Sequence, residues 1–176
     1  MDFSVQIAGT ADLDQLHALM KRSIDALQQD FLSPEQVAAS HEVMGLDSQL
    51  VEDGTYFMIF HKGTLVGSGG WSFRETLFGG DHTRGRCPAK LDPACDAGRI
   101  RAMYTDPAWA RRGVGSLIMR QCETALRQYG FTRATLVATL SGEPLYRHWG
   151  YEAEEYFEAN TTIGVSVPLI RMQKSL

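Results

Sequence analysis

Apolar residues alternate with polar ones, or recur at helical spacing, along most of this chain, and the two patterns predict its elements. The first residues alternate, as in a strand with one buried face, through Phe3, Val5 and Ile7. The spacing then changes to three or four residues, and Thr10 or Asp12 can cap the helix that follows. The apolar stripe of this helix consists of Leu13, Leu16, Leu19, Met20, Ile24 and Leu27.

A second helix is predicted from Pro34 to about Met44. Proline is favoured at the first helical position, and Ser33 followed by Gln36 three residues later is a capping-box pattern. The residues from there to Gly54 carry no recognisable chemistry.

Two strands are predicted at 56–60 and 65–73, with a hairpin turn at Lys62-Gly63 between them. The second strand contains three glycines, Gly67, Gly69 and Gly70. They favour a bulge or a close packing contact, and the alternative is that they leave room for a substrate. Residues 74–96 follow without periodicity, as a substrate-covering loop or a surface excursion.

The second half of the chain shows the same two patterns. It predicts strands at 99–105, 134–138, 151–157 and 165–172 and helices at 116–129 and 142–149. Ser141 can cap the shorter helix. Because Pro168 has no N–H to donate, the last strand is predicted to lie at a sheet edge or to carry a bulge.

The junction between the strand at 99–105 and the helix at 116–129 carries the chemistry. Apolar residues at 100, 102 and 104 predict a half-buried strand, and Asp106-Pro107 ends it. Arg111-Arg112-Gly113-Val114-Gly115-Ser116 then opens the helix, whose first turn has unpaired N–H groups and a partial positive charge. The glycines admit a ligand and the arginines add charge, so a phosphate or pyrophosphate site is predicted. The alternative is a turn that merely tightens the helix entrance.

Neither common phosphate-loop fingerprint fits this junction. No Gly-Lys-Ser/Thr closes it, as a Walker A loop requires, and Ile118 stands where the dinucleotide fingerprint needs a third glycine. The segment 104–117 instead resembles the acetyl-CoA-binding motif of the GNAT (Gcn5-related N-acetyltransferase) superfamily, in which a Gln/Arg-x-x-Gly-x-Gly/Ala loop opens a helix. Ala110 replaces the leading Gln/Arg of that pattern, which removes one side-chain contact and leaves the backbone amides.

A second segment, Leu145-Tyr146-Arg147-His148-Trp149-Gly150-Tyr151, resembles the Tyr-x-x-x-Gly-Phe/Tyr element of the same superfamily. Two motifs in the right order are more specific than either alone. The resemblance extends over residues 3–172 and is strongest over 98–151.

The resemblance implies a single GNAT domain over residues 1–176, of the α/β (α+β) class, with about seven mostly antiparallel strands and about four helices. It implies acetyl-CoA as the acyl donor, attacked directly by a primary amine. Backbone amides of Met103, Tyr104 and Thr105 would hold the pantetheine and the thioester carbonyl. The pyrophosphate would lie on the amides of Arg111, Arg112, Gly113, Val114, Gly115 and Ser116.

Tyr146 matches the superfamily tyrosine that lies near the CoA sulfur. With an ordinary pKa of about 10, a phenol stays protonated at neutral pH and can protonate the departing thiolate. The alternative is a tyrosine that packs its ring and bonds a carbonyl group.

The acceptor side is less defined by the sequence. The first two helices often border the acceptor in this superfamily, and general-base candidates are Glu75, Asp81 and Glu155. Arginines that would suit a carboxylate-bearing acceptor are Arg74, Arg84 and Arg86. The leading hypothesis is acetylation of a small-molecule amine. The alternatives are a non-catalytic acyl-CoA-binding or regulatory module and an acetyltransferase acting on a protein or RNA.

Composition limits the classes of partner and the cellular compartment that are expected for this chain. A net charge of −4 argues against nucleic acid as the main partner, although a local basic pocket is still allowed. Three cysteines do not indicate a disulfide framework, and the spacing of Cys87, Cys95 and His82 fits no zinc pattern, so no metal is expected. Without a leader pattern or a membrane-length apolar run, a cytoplasmic protein is expected, and a homodimer is possible.

Overall fold

The computed structural model describes residues 2–176, which form one seven-stranded sheet and five α-helices. The strands are β1 (Ser4–Ile7), β2 (Tyr56–His61), β3 (Thr64–Ser72), β4 (Gly98–Thr105), β5 (Arg133–Thr139), β6 (Glu152–Ala159) and β7 (Val167–Ser175). The helices are α1 (Leu13–Leu27), α2 (Pro34–Val43), α3 (Ser48–Glu52), α4 (Val114–Tyr129) and α5 (Glu143–His148).

The strands lie in the order β1-β2-β3-β4-β5-β7-β6, and every neighbouring pair is antiparallel except β4 and β5. The predicted mixed, mostly antiparallel sheet of seven strands is therefore confirmed. Strands β1 and β6 form the two edges of the sheet. The β6 edge exposes four glutamates, Glu152, Glu154, Glu155 and Glu158.

Helices cover both faces of the sheet. Adjacent β2 residues point to opposite faces, and Ile59 packs in the apolar cluster that includes Ile118 of α4, whereas Met58 packs with Leu16 of α1. The helical stripe predicted for α1 is accordingly buried at Leu16, Leu19, Met20 and Ile24.

The glycines of β3 allow α4 to lie directly on the strand. A β-carbon at Gly67 would collide with the Val114 side chain, and one at Gly69 would stand 2.6 Å from Ile118 Cγ2. The β3–β4 register also shifts between Ser68 and Gly70. The bulge and the close packing contact predicted for these glycines are therefore both confirmed.

The following details of the fold differ from the sequence prediction. Helix α3, capped by Asp47, was not predicted, because five residues are too few to show a helical period. Ser141 does not cap α5, since the cap residue is Gly142, whose N–H donates to Thr139 Oγ1 at 3.1 Å. In addition, β7 lies inside the sheet and not at its edge.

The prediction of an edge strand from Pro168 is wrong because of where β5 ends. Pairing between β5 and β7 stops at Thr139 and Leu169, so no β5 residue needs an N–H from Pro168. The register shift between β6 and β7 lies between Ala153 and Glu155, at the other end of the pair. A proline is tolerated here because it lies beyond the end of the β5–β7 ladder, although it still lies opposite Glu158 of β6.

The predicted capping box of α2 is confirmed, and it gives a stability prediction. Ser33 Oγ accepts from the Gln36 N–H at 3.2 Å, and Gln36 Oε1 accepts from the Ser33 N–H at 3.1 Å. Ser33→Ala should lower the free energy of unfolding by about 0.5–2 kcal/mol, measured by urea titration. The matched control is Ser141→Ala, because within the described residues the Ser141 hydroxyl bonds Thr139 Oγ1 and no helix N–H. Equal losses in the two variants would contradict a capping role for Ser33.

Candidate active site

A cleft opens between β4 and β5, the one parallel pair of the sheet. The two strands pair only at Gly98–Ala134 and Arg99–Thr135, and beyond these residues they separate. The lining of the cleft comes from β4 at residues 100–104, from β5 at Val137 and Thr139, and from Tyr146 of α5. The end of α2 and the segment 77–79 close its far side. An extended ligand can therefore enter the sheet at this point.

Unpaired backbone faces this cleft along β4. Ala102 has a φ of +52°, in the left-handed region, and it interrupts the regular pleat of the strand. The Tyr56 hydroxyl donates to the Ala102 carbonyl at 2.7 Å, and this bond stabilises the distorted backbone conformation at Ala102. Because β5 has moved away, the β4 groups after Arg99 that would pair with it are left for a ligand.

The distortion at Ala102 changes which β4 side chains share a face. Ile100 and Met103 pack in the cluster beneath α4, whereas Ala102 and Tyr104 pack in the cluster beneath α1. The predicted alternation, with residues 100, 102 and 104 on one buried face, is therefore wrong. Tyr104 is buried, its hydroxyl accepts from the Gly45 N–H at 2.9 Å, and burial raises its pKa to about 12.

The start of α4 presents free N–H groups beside the end of β4. The first bond of the helix runs from the Leu117 N–H to the Gly113 carbonyl at 3.0 Å, which leaves the N–H groups of the preceding three residues unpaired within the helix. Gly113 has a φ of +88°, which favours glycine, and a β-carbon there would meet open space. The guanidinium of Arg112 lies 5.3 Å from the centre of the Trp109 ring.

Gly115 has a packing role that the sequence did not indicate. A β-carbon at this position would stand 2.8 Å from Leu145 Cδ2, so the glycine lets α5 approach α4. The hydroxyl of Ser116 accepts from Trp149 Nε1 at 3.4 Å, at the end of α5. The two segments that carry the resemblance are therefore in direct contact.

Tyr146 lines the cleft between β4 and β5. Its side chain is mostly buried, with its ring 6.4 Å from that of Tyr151 in an edge-on arrangement. Burial raises the pKa of the Tyr146 phenol well above its ordinary value. No hydrogen bond to its hydroxyl exists within residues 2–176, so the carbonyl bond considered as an alternative is not formed.

The three general-base candidates do not line this cleft. Asp81 accepts from the Ser48 N–H at 3.0 Å, Glu155 pairs with Arg171 at 3.3 Å on the β6 edge, and Glu75 is exposed. Within the described part of the chain, the lining contains neither a carboxylate nor a histidine.

The loop arginines separate into two groups. Arg74 pairs with Asp53 at 2.6 Å and Arg86 pairs with Asp47, and both side chains line a second cavity next to the cleft. Arg84 is exposed and forms no ion pair among residues 2–176. Arg101 of β4, which the sequence did not single out, is 3 % exposed and lines both the cleft and the second cavity.

The described residues form neither a metal cluster nor a membrane-crossing helix. No three histidines, cysteines or acidic residues of 2–176 come together in a way that could hold an ion. None of the five helices is both long and apolar enough to cross a bilayer. The three cysteines are free thiols, and Cys122 is buried, as predicted.

Comparison with known proteins identifies the chain's relatives. The model of the acetyltransferase (GNAT) family matches residues 21–151, which is more than half of the 176 residues. A search of curated protein sequences found no significant match.

Solved structures share the fold at low sequence identity. A GCN5-related N-acetyltransferase described as a class-II aminotransferase, from Rhodopseudomonas palustris, superposes with a TM-score of 0.74 at 18% identity, over 100% of this chain and 97% of its own. The PaiA N-acetyltransferase of Thermoplasma acidophilum, in complex with coenzyme A, gives 0.64 at 13% identity over 100% of both chains. The ribosomal-protein-S18-alanine N-acetyltransferase of Escherichia coli gives 0.60 at 15%, over 99% of this chain and 94% of its own.

Proposed function

Because this chain belongs to the acetyltransferase (GNAT) family, we propose that it transfers the acetyl group of acetyl-CoA to a primary amine of a small molecule. Acetyl-CoA supplies the activated thioester in such a reaction. The observation that carries the proposal is the cleft between β4 and β5, which Tyr146 lines and beside which α4 begins.

The residues present fit this donor. Met103, Tyr104 and Thr105 lie beyond the last pairing of β4 with β5, and the backbone groups of this stretch that face away from β3 are assigned to a pantetheine chain and a thioester carbonyl. The oxyanion that develops on that carbonyl during attack is stabilised by N–H groups already held in place. Only the backbone is assigned this role, because the Tyr104 side chain is committed to Gly45.

The start of α4 fits a pyrophosphate. Its free N–H groups and helix dipole attract an anion, and the side chains of Arg111 and Arg112 add positive charge. The open space in front of Gly113 leaves the amides reachable. The 111–116 segment is therefore assigned to the pyrophosphate, and Val114 contributes its amide while its side chain packs in the core.

Tyr146 is assigned as the general acid. Attack of a neutral amine on the acetyl carbon forms a carbon–nitrogen bond, and the tetrahedral intermediate then loses the carbon–sulfur bond. The Tyr146 hydroxyl donates its proton to the departing sulfur, the amine nitrogen releases a proton to solvent, and the tyrosinate takes one proton back from solvent. The absence of a carbonyl partner for this hydroxyl among residues 2–176 supports the assignment, since the proton is not committed elsewhere.

Two measurements on the wild-type protein test this function. Calorimetric titration with acetyl-CoA tests the binding site, and release of free thiol over a panel of small amines tests the transfer. Binding together with amine-dependent thiol release is the expected result. Binding without turnover on any amine would favour a non-catalytic module or a macromolecular acceptor, and no binding would refute the assignment of 103–116.

Gly113→Trp should weaken acetyl-CoA binding at least tenfold, because the indole would fill the space in front of the α4 amides. The measurement is the calorimetric Kd. The matched control is Gly164→Trp, which also places a side chain at a positive φ (+77°) in open space, but in the turn between β6 and β7. An equal loss of affinity in both variants would mean that backbone strain, and not blockage, weakens binding.

A further inference from the structure

A second cavity lies beside the cleft, on the face of the sheet that α1 and α3 cover. Its volume is about 210 Å³, and α3, the end of β3 and the 74–88 segment enclose it. Arginines supply most of its charged lining, through Arg74, Arg86 and Arg101. Because Arg101 also lines the cleft, the two spaces meet at this side chain.

The buried carboxylates do not match these arginines in number. Asp47, which is 1% exposed, is shared by Arg86 and by Arg101, the latter at 3.0 Å. Asp53 pairs with Arg74 at 2.6 Å. Asp81 lies 3.4 Å from Arg86 on the solvent side. Its carboxylate is half exposed, so water screens its charge. Three arginines therefore face only two buried carboxylates, and their third carboxylate partner, Asp81, is half exposed.

Two donors in this network have no acceptor. The Nε–H groups of Arg86 and Arg101 are both buried, and neither finds a partner within residues 2–176. The remaining guanidinium nitrogens of Arg101 are occupied, since they also donate to the carbonyls of Thr76 at 3.3 Å and Gly79 at 2.7 Å. Burial lowers the pKa of Arg101, and the neighbouring Asp47 opposes this shift.

An unsatisfied donor and an unbalanced charge in one buried cavity both favour an anion. A buried N–H without an acceptor costs free energy, and a carboxylate accepts such bonds with charge assistance. A carboxylate adds one negative charge to a network of three arginines and two buried carboxylates, whereas a phosphate dianion adds two.

We propose that this arginine-lined cavity binds a carboxylate of the acceptor, so that the substrate class is a small amino acid carrying both a primary amine and a carboxylate. The proposal rests on the proposed acetyl transfer. Arg101 lies two residues before Met103 in β4 and lines both the cavity and the cleft, so the two spaces adjoin along this strand. A carboxylate at Arg101 and Arg86 would therefore leave the amine of the same small molecule close to the thioester position.

The first test compares acids with their own amides as acceptors. Thiol release is measured for the twenty amino acids, β-alanine and 4-aminobutyrate, each beside its carboxamide, and for phosphoethanolamine. Wild type should prefer one or more acids over the matching amide by at least tenfold in kcat/KM. No preference for acids, or a preference for phosphoethanolamine, would overturn the proposal.

Arg86→Gln is the informative variant, and Arg84→Gln is its control. Arg86→Gln leaves Asp47 paired with Arg101, so folding should be retained, and it should raise KM for the acid at least tenfold while KM for acetyl-CoA changes less than twofold. The amide should be unaffected by this change. Arg84 belongs to the same segment but does not line the cavity, and Arg84→Gln should behave as wild type. Equal KM values for the acid in the two variants would contradict the assignment.

A second readout does not depend on turnover. The side-chain Nε–H signals of Arg86 and Arg101 can be followed by NMR in ¹⁵N-labelled protein saturated with acetyl-CoA, with Arg86→Gln and Arg101→Lys to assign them. Both signals should shift with a mixture of amino acids and stay unchanged with the amides. Unchanged signals in both titrations would overturn the proposal even if turnover failed. Failure of acetyl-CoA to bind in calorimetry would refute the proposed function separately, and the titrations can then be run without it.

Discussion

Tyr146→Phe is expected to lower kcat by a factor of about 10² or more, the usual contribution of a positioned general acid. Two tyrosine hydroxyls among residues 2–176 line the cleft. That of Tyr104 donates to the Gly45 carbonyl at 3.5 Å, whereas that of Tyr146 has no hydrogen-bond partner within the described residues. Without it, the sulfur leaves as an unprotonated thiolate. Because burial raises the pKa of Tyr146, wild type should keep this acid protonated throughout pH 6–9 and show no loss of rate from its ionisation.

The measurement is steady-state thiol release with the best amine, combined with calorimetry of acetyl-CoA. The acetyl-CoA Kd should stay within about twofold, because the removed hydroxyl has no partner among residues 2–176. Tyr151→Phe is the matched control, since Tyr151 is also buried next to Tyr146 and its hydroxyl also lacks a partner. Similar kcat values in the two variants would contradict the assignment of Tyr146 as the general acid.

Asp47→Ala is expected to lower the free energy of unfolding by about 3–5 kcal/mol, a large part of the stability of an ordinary domain. The change leaves the Arg101 side chain, which is 1% exposed, without the carboxylate that pairs with it among residues 2–176. It also removes the side-chain acceptor for the Gln49 N–H at the start of α3. Loss of a buried partner costs more than the pair contributes, because the remaining charge cannot reach water.

Urea titration followed by circular dichroism measures this effect. Asp81→Ala serves as the control, because Asp81 contacts the same Arg86 but is half exposed, and its loss should cost about 1 kcal/mol or less. If the two variants lost the same stability, the Asp47–Arg101 pair would not be the buried charge centre described above.

Much of the fold could be predicted because the signals are local. The capping box at Ser33, the glycines of β3 and the helix opening at Gly113 each depend on residues close together in the chain. The failures have equally local causes. Helix α3 is too short to show a period, and Pro168 is compatible with an inner strand because β5 ends beside it.

The candidate site was predictable only where its ligand groups are contiguous. The 103–116 segment presents its backbone amides in sequence order, and such an arrangement can be recognised as a sequence motif. Asp47, Arg86 and Arg101 come from three distant segments, and no spacing connects them. Arg101 also stands at a polar position of an alternating strand, which normally faces water. The distortion at Ala102 and the cover provided by α3 and the 74–88 segment bury it instead.

The exposed glutamates of the β6 edge limit how two copies of this protein can associate. Strand β6 has one free row of backbone donors and acceptors, which is the usual template for joining sheets of two molecules. Its four exposed glutamates would be brought together by such pairing, and Arg171 of β7 neutralises only part of this charge through Glu154 and Glu155. Repulsion between the glutamates of two copies therefore disfavours pairing of one β6 strand with another. A homodimer would have to use another surface.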